Sequence, residues 1–388
     1  MNPILDEDND TPKSWSIADF EIRETVLGKG LLGTVYHGRF KRKRTTMVNG
    51  ELERDVAIKV MDRTTIMKKQ EFIDMVMNER RILSSFSSSS RQHVIKLYLS
   101  FIDIQNLFMV MELCSCDLAQ LVKCRGSNSD YSVVDCKTRD EVPVFLDFTS
   151  VQYLSAQLVM ALEEIHSKNC IHCDLKPENI LIKNNGWLKL TDFATARIIP
   201  SCPAGSGEKS KNTKCHYLFI GTADYLAPEV LLDDGNETPS VYQDLWSFGC
   251  IMYYMFVGQS PFHTQSDCLT FQKIYNYAMN MDTSVPFSPS IPTVAMDLIS
   301  QLLSILPSQR TKLDSVAVSV TDEQEETRTD TKQYEDIRGH SFFCGIQWHI
   351  LGDIVKPPDQ LSERLRSYYS IYGDETFLDG SNLPFDFF

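Results

Sequence analysis

Between positions 172 and 194 the chain reads His172-Cys173-Asp174-Leu175-Lys176-Pro177-Glu178-Asn179 and then, thirteen residues on, Asp192-Phe193-Ala194. An aspartate that can orient a hydroxyl and take its proton, a lysine two residues later and two hard oxygen ligands are the parts that phosphoryl transfer needs. This chemistry depends on positioning and charge stabilisation more than on an unusually reactive group. Asp174 is the candidate base. Lys176 is the cation that would neutralise the transferred group. Asn179 and Asp192 are the candidate Mg²⁺ ligands.

A second set lies upstream. Gly28-Lys29-Gly30-Leu31-Leu32-Gly33-Thr34-Val35 has the form Gly-x-Gly-x-x-Gly-x-Val, which lets a backbone approach phosphates and offer them its N–H groups. A dinucleotide-binding turn would need a helix next, whereas β-branched Thr34 and Val35 point to a strand. Val56-Ala57-Ile58-Lys59 follows, and its apolar flanks argue against an ordinary surface lysine. Lys59 is expected to hold the α- and β-phosphates. Glu79, twenty residues later, is its expected ion-pair partner, with Glu71 as the rival acid. Downstream, Gly221-Thr222-Ala223-Asp224-Tyr225-Leu226-Ala227-Pro228-Glu229 closes an activation segment. Glu229 is expected to pair with Arg310, and Asp244 to cap the backbone of the catalytic stretch.

The elements needed to position these groups can be read from periodicity. Phe20 to Leu27 and Thr34 to Arg39 read as strands across a glycine turn, followed by Val56 to Met61, Val94 to Tyr98 and Leu107 to Glu112. Lys68 to Ser84 fits a helix with Phe72, Met75, Val76, Glu79 and Leu83 on one face. Val151, Leu154, Leu158, Leu162 and Ile165 repeat at helical spacing just before the catalytic stretch. Ser240 to Gly258 is apolar nearly all round, a central core helix. The polar stretches 41–54, 127–149 and 321–336 read as insertions or loops, and the last thirty residues as an extended tail with aromatics.

The chain has 388 residues, 43% of them hydrophobic, enough for one large two-lobed domain. A formal charge of −14 disfavours nucleic acid and anionic membranes as main partners and favours basic substrates. The run Lys41 to Arg44 is a local exception. Eleven scattered cysteines show no paired zinc spacing, so they read as reduced thiols of a cytoplasmic protein. No signal peptide or transmembrane segment is expected.

From about Trp15 to Pro358 the chain resembles the eukaryotic protein kinases. Within them it resembles the AGC group of serine/threonine kinases, above all the 3-phosphoinositide-dependent protein kinases, which phosphorylate activation loops of other AGC kinases. The residues that carry this are Asp192 to Arg197, Phe219 to Tyr225, Phe271-Gln272-Lys273-Ile274, and His340-Ser341-Phe342-Phe343 with Ile346 and Trp348. The resemblance implies an α+β bilobal fold: a disordered stretch 1–14, a β-rich N-lobe with one main helix (15–112), a larger α-helical C-lobe (113–352) and a tail (353–388). It implies ATP and Mg²⁺ as cofactors, protein substrates, and serine/threonine specificity from Lys176 with Thr222. Expected nucleotide contacts come from Leu27, Gly28, Gly30, Gly33, Val35, Ala57, the gatekeeper Met111, the hinge from Glu112 to Cys114, the ribose partner Asp117, and Leu181. Two other readings stand beside this one: an AGC kinase of another subfamily, and a pseudokinase scaffold.

The departures from that family concern control. No pleckstrin-homology domain is expected. Leu218 stands where the family has its activation-loop serine, and Cys173 where an arginine would grip that phosphate. A phosphate clamp needs both halves, so activity without activation-loop phosphorylation is expected; Ser210 and Thr213 are alternative sites. Ala194 replaces a glycine, and its methyl is tolerable at negative φ. The ending Pro384-Phe385-Asp386-Phe387-Phe388 resembles a hydrophobic motif of the kind AGC kinases dock beside the helix carrying Glu79. An aromatic tail packed on any apolar groove is an equal reading. In the resembling subfamily that groove receives a substrate kinase's tail, with Arg80 at the phosphate-contacting position.

Overall fold

The computed structural model describes residues 15–41, 47–48, 51–52, 55–86, 93–124, 145–199, 223–232, 239–279, 285, 287–311, 330–351, 356–372 and 378–379. The chain divides into two compact units. One comprises 1–89, 95–113 and 372–388; the other comprises 90–94 and 114–371.

The first unit is built on an antiparallel sheet. Strand β1 (Phe20–Lys29) pairs with β2 (Thr34–Phe40) across the glycine turn. A small hairpin, β3 (Met47–Val48) with β4 (Glu51–Leu52), occupies part of the expected insertion. Strand β5 (Asp55–Asp62) is central. It pairs with β2 on one side and, on the other, with a strand that follows the helices α1 (Arg63–Ile66) and α2 (Gln70–Phe86). The remaining strands are β6 (Leu97–Ile102) and β7 (Asn106–Glu112), in the order β1-β2-β5-β7-β6. Side chains alternate along β5. Val56, Ile58 and Val60 enter an apolar cluster with Phe20, Ile22, Phe40, Phe108 and Val110. Ala57, Lys59 and Met61 therefore face the other side of the sheet.

The second unit is mainly helical. Strand β8 (Cys116–Asp117) leads into α3 (Leu118–Lys123), which Asp117 caps by accepting the Gln120 N–H at 2.7 Å. Helix α4 (Phe148–His166) is buried over most of its length, as its apolar repeat requires. It ends just before β9 (Cys170–Ile171) and the catalytic stretch. Strands β10 (Ile180–Ile182) and β11 (Leu188–Leu190) form a hairpin, and β12 (Arg197–Ile198) pairs with β9. Helix α5 (Pro228–Leu232) precedes α6 (Val241–Val257), the core helix expected from its composition. Gly258 closes α6 at φ +78, with the Phe145 ring 2.3 Å from where a Cβ would sit, so only glycine fits. Helices α7 (Asp267–Ala278) and α8 (Thr293–Leu302) follow.

Two expectations fail in this unit. Part of the charged stretch 321–336 belongs to a helix, α9 (Asp330–Gly339), which buries Tyr334 and Ile337. The tail is not extended throughout either: α10 (Asp359–Tyr372) buries Leu361 and Leu365, one turn apart. Its buried Arg364 donates to the carbonyls of Val122 and Cys124, both at 3.0 Å, and to that of Phe145, so it satisfies the C-terminal end of α3. Last, β13 (Leu378–Asp379) pairs with β1 and makes the first unit's sheet six-stranded rather than five.

The chain thus combines a β-rich unit carrying one long helix with a larger, mainly helical unit, the α+β composition expected from the sequence. Among the described residues no helix is long and apolar enough to cross a membrane. Replacing Arg364 with alanine strands several buried carbonyls, so Arg364→Ala should lower unfolding free energy by about 2–4 kcal/mol in chemical denaturation.

Candidate functional site

In the first unit the glycine turn is closed by a hydrogen bond from the Gly30 N–H to the Gly33 carbonyl, 2.9 Å. The three glycines differ in their reason for being small. A Cβ on Gly33 would sit 2.4 Å from the Val60 carbonyl oxygen, so close packing against β5 excludes any side chain. A Cβ on Gly28 would meet nothing within 4 Å. The protein's own packing therefore leaves Gly28 open to an approaching ligand, whereas Gly33 holds two strands together.

Lys59 points to the side of β5 away from the aromatic cluster. Its ammonium lies 2.7 and 2.8 Å from the two carboxylate oxygens of Glu79 on α2. Glu79 is 1% exposed, whereas Glu71 is exposed at the start of the helix. Glu79, not its rival, is the partner. A buried carboxylate needs such a counter-charge, and removing one partner of a buried pair typically costs about 3–5 kcal/mol. Among the expected nucleotide contacts of this unit, Ala57 and Met111 pair across β5 and β7, and Glu112 ends β7. Ala57, Met111 and Glu112 are buried, Val35 is half-buried and Leu27 exposed.

In the second unit Asp174, Lys176, Asn179 and Asp192 come together. The Lys176 ammonium donates to Asp174 Oδ2 at 2.7 Å. The Asn179 amide nitrogen donates to the Asp174 carbonyl at 2.8 Å and to Oδ2 at 3.2 Å. The Asn179 amide nitrogen is thus spent on Asp174. The Thr191 N–H donates to the Asn179 carbonyl at 3.0 Å, which ties the residue before Asp192 to the catalytic stretch. Burial pushes the Asp174 carboxyl above its ordinary range. Lys176 and His172 pull it down, and the Asp192 charge pushes it up. The net rise makes Asp174 a better proton acceptor than an exposed carboxylate.

Three described residues other than glycine have positive φ: Asn169, Cys173 (+64) and Asp192 (+60). Cys173 and Asp192 flank the chemistry, where such strain tends to concentrate. Cys173 is held there by its N–H, which donates to Asp244 Oδ1 at 3.0 Å. The His172 N–H and His166 Nε2 both contact Asp244 Oδ2 at 2.8 Å. Asp244 thus caps the catalytic stretch as expected. His166 and its further partner Tyr334 carry no motif that would have pointed to them. Ala194 is buried and is not among the positive-φ residues, so its methyl meets no backbone penalty. Arg310 forks onto Glu229 at 2.6 and 2.8 Å, the expected structural pair. Arg80 donates to the Ser100 hydroxyl at 2.9 Å.

Asp117 pairs in register with Leu181, and Cys114 is half-buried. Asp117 also has a role not expected of it: with Gln120 it forms a reciprocal capping box on α3. The spacing Asp117-Leu118-Ala119-Gln120 is the signal that could have shown this. Thr222, Leu218, Gly221, Ser210, Thr213, Phe385 and Phe388 lie outside the described residues.

Residues 22–319 match the protein kinase domain family. The chain belongs to the protein kinase family. Serine/threonine-protein kinase ksg1 of Schizosaccharomyces pombe is 32% identical, over 89% of this chain and 50% of its own length. The 3-phosphoinositide-dependent protein kinase 1 of Arabidopsis thaliana is 30% identical, over 90% of this chain and 61% of its own. Serine/threonine-protein kinase PDK1 of Cryptococcus neoformans is 31% identical, over 76% of this chain and 20% of its own. The chain therefore spans between a fifth and about three fifths of the length of these relatives. These relatives carry the names of serine/threonine kinases and of a 3-phosphoinositide-dependent kinase. A protein kinase domain uses ATP and acts on protein.

Gly33→Ala should unfold in less denaturant, whereas Gly28→Ala should fold normally and weaken nucleotide affinity measured by calorimetry. Burial, with the nearby Glu178 charge, holds the Asp117 carboxyl at about 6, above its unfolded value of 3.8. The native state then binds the extra proton, so stability should fall as pH rises from about 4 to 6. Asp117→Asn keeps the cap and should flatten that slope in a pH series of thermal melts.

Proposed function

We propose that this chain transfers the γ-phosphate of ATP to serine or threonine hydroxyls of protein substrates, with activation segments of other AGC kinases as the favoured class. The observation that carries this reading is the Asp174 carboxylate, fixed by Lys176 and Asn179 and close to Asp192. Asp174 orients the substrate hydroxyl and takes its proton as the oxygen attacks. Lys176 sits on the same carboxylate oxygen, where its charge can also meet the transferred group. In the first unit Glu79 holds Lys59 extended for the α- and β-phosphates.

Asn179 and Asp192 are the proposed Mg²⁺ ligands. Their fit rests on donor chemistry: both are oxygen donors, and the Asn179 amide nitrogen is already spent on Asp174. Among the described residues no cluster of three or more His, Cys, Asp or Glu side chains could hold a metal. Phosphate and water oxygens would complete the shell, as Mg²⁺ favours. When bound, the ion supplies charge neutralisation on the phosphates. Leu27, Gly28, Gly30, Val35, Ala57, Met111, Glu112, Cys114, Asp117 and Leu181 are proposed to contact the nucleotide, and Thr222 to support Ser/Thr selectivity. Gly33 is proposed to contact the nucleotide through its backbone as well, besides packing against β5. The eight described cysteines are free thiols, in keeping with a cytoplasmic setting. With cysteine at 173 and leucine at 218, transfer is proposed not to require activation-loop phosphate.

The test is transfer from γ-labelled ATP to a peptide panel, before and after phosphatase treatment of the kinase. The expected result is labelled serine and threonine, with kcat/KM at least about tenfold higher for AGC activation-loop peptides than for simple basic peptides, roughly 1.4 kcal/mol of discrimination. Phosphatase should leave the rate in place. A preference for simple basic peptides would assign another AGC subfamily. No transfer to any peptide would make the chain a pseudokinase scaffold.

A further inference from the structure

We propose that Tyr334 is a positioning residue for the catalytic stretch: its hydroxyl fixes the tautomer of His166, which steadies the carboxylate of Asp244. This rests on the kinase reading above. Tyr334 lies on α9, beyond residue 319, where the match to the kinase family ends.

The residues form an unbroken buried chain. The Tyr334 hydroxyl is 2.5 Å from His166 Nδ1. His166 Nε2 is 2.8 Å from Asp244 Oδ2. Asp244 Oδ2 also accepts from the His172 N–H at 2.8 Å, and Oδ1 from the Cys173 N–H at 3.0 Å. Asp174 is the next residue in sequence. Tyr334, His166 and Asp244 are each 1% exposed, so water does not substitute for any of these partners.

The direction of each hydrogen bond follows from chemistry. Asp244 is held ionised. Its burial alone would favour the neutral acid, but the hydrogen bonds that it accepts from His166 and from the His172 N–H lower its carboxyl below the ordinary range. An ionised carboxylate only accepts, so His166 must donate from Nε2. A neutral imidazole protonated at Nε2 is bare at Nδ1, and a bare buried acceptor needs a donor. The Tyr334 hydroxyl is that donor. Without it, His166 can carry its proton on Nδ1 instead and present a lone pair to Asp244. The carboxylate would then lose a donor and meet a repulsive contact. The loop whose Cys173 is held at φ +64 would lose its anchor. A phenylalanine at 334 would keep the packing and remove only the tautomer control.

Tyr334→Phe in the full chain is the test. Leaving one buried acceptor unpaired sets the expected loss in kcat at roughly 5- to 30-fold. The KM for ATP and for peptide should not change, because neither ligand touches this network. In hydrogen exchange, the amides of His172 and Cys173 should lose protection while those of α10 keep it. His166→Gln supplies a side-chain N–H for Asp244 without tautomers. In that background Tyr334→Phe should change kcat no further, whereas independent effects would multiply. Unchanged kcat and exchange in Tyr334→Phe would overturn the proposal, as would a lowered melting temperature alone or full multiplicativity in the double variant. A Tyr334→Phe chain that does not fold would also overturn it, since the hydroxyl would then serve folding. Absence of transfer by the wild-type chain would instead remove the kinase reading, and exchange at His172 and Cys173 would still decide the role of Tyr334.

Discussion

A single buried carboxylate sets the geometry on which the second unit's chemistry depends. Asp244 projects from α6, a helix whose other inward residues are almost all apolar, and burying it unpaired would be prohibitive. It is stabilised because three donors converge on it: His166 and the backbone N–H groups of His172 and Cys173. The reverse also holds. Both backbone groups are spent on that carboxylate, so the chain entering the catalytic stretch is pinned to the core helix. Asp174 inherits its place from that pin, and Lys176 and Asn179 both donate to its carboxylate.

The first unit solves a matching problem with a strand. The period of two along β5 commits Val56, Ile58 and Val60 to the core and turns Lys59 to the opposite side. There α2 offers Glu79 from its buried face. Both ends of this ion pair are carried by regular elements, so the lysine is held by packing as well as by charge. Gly33 belongs to the same construction, because only a glycine lets β2 lie against the Val60 carbonyl. Positioning in the two units thus rests on rigid elements, which suits a reaction that asks for fixed groups more than for reactive ones.

What could be read from the residues was whatever local spacing or periodicity encodes. The Gly-x-Gly-x-x-Gly turn, Lys59 on a strand, Glu79 on an apolar helix face and the Asp174 to Asn179 run each carry their signal within a short window. The pairs Glu229–Arg310 and Lys59–Glu79 were legible because family spacing names both partners. Helices α9 and α10 were not. Charged residues surround Tyr334 and Ile337, and Leu361 and Leu365 are too few to dominate a polar window, so tertiary packing decides their structure. Tyr334 and His166 are 168 residues apart, and no local pattern marks such a contact. The strand pairing of β13 is similar: two residues cannot announce a strand, but the open edge of β1 can recruit them. The packing role of Gly33 and the capping role of Asp117 were hidden for a different reason, since a residue type that suits a nucleotide also suits a tight packing site or a helix cap.

Asp174 is proposed to act on the substrate hydroxyl while the rest of the site binds ATP without it. The most direct measurement compares wild type with Asp174→Asn, a change that keeps shape and removes the carboxylate. Phosphoryl transfer to a serine peptide and ATP affinity would be measured on the same preparations. Transfer should fall by about 10²- to 10⁴-fold with ATP affinity essentially retained. Undiminished transfer in Asp174→Asn, or a loss of ATP binding equal to the loss of transfer, would contradict it.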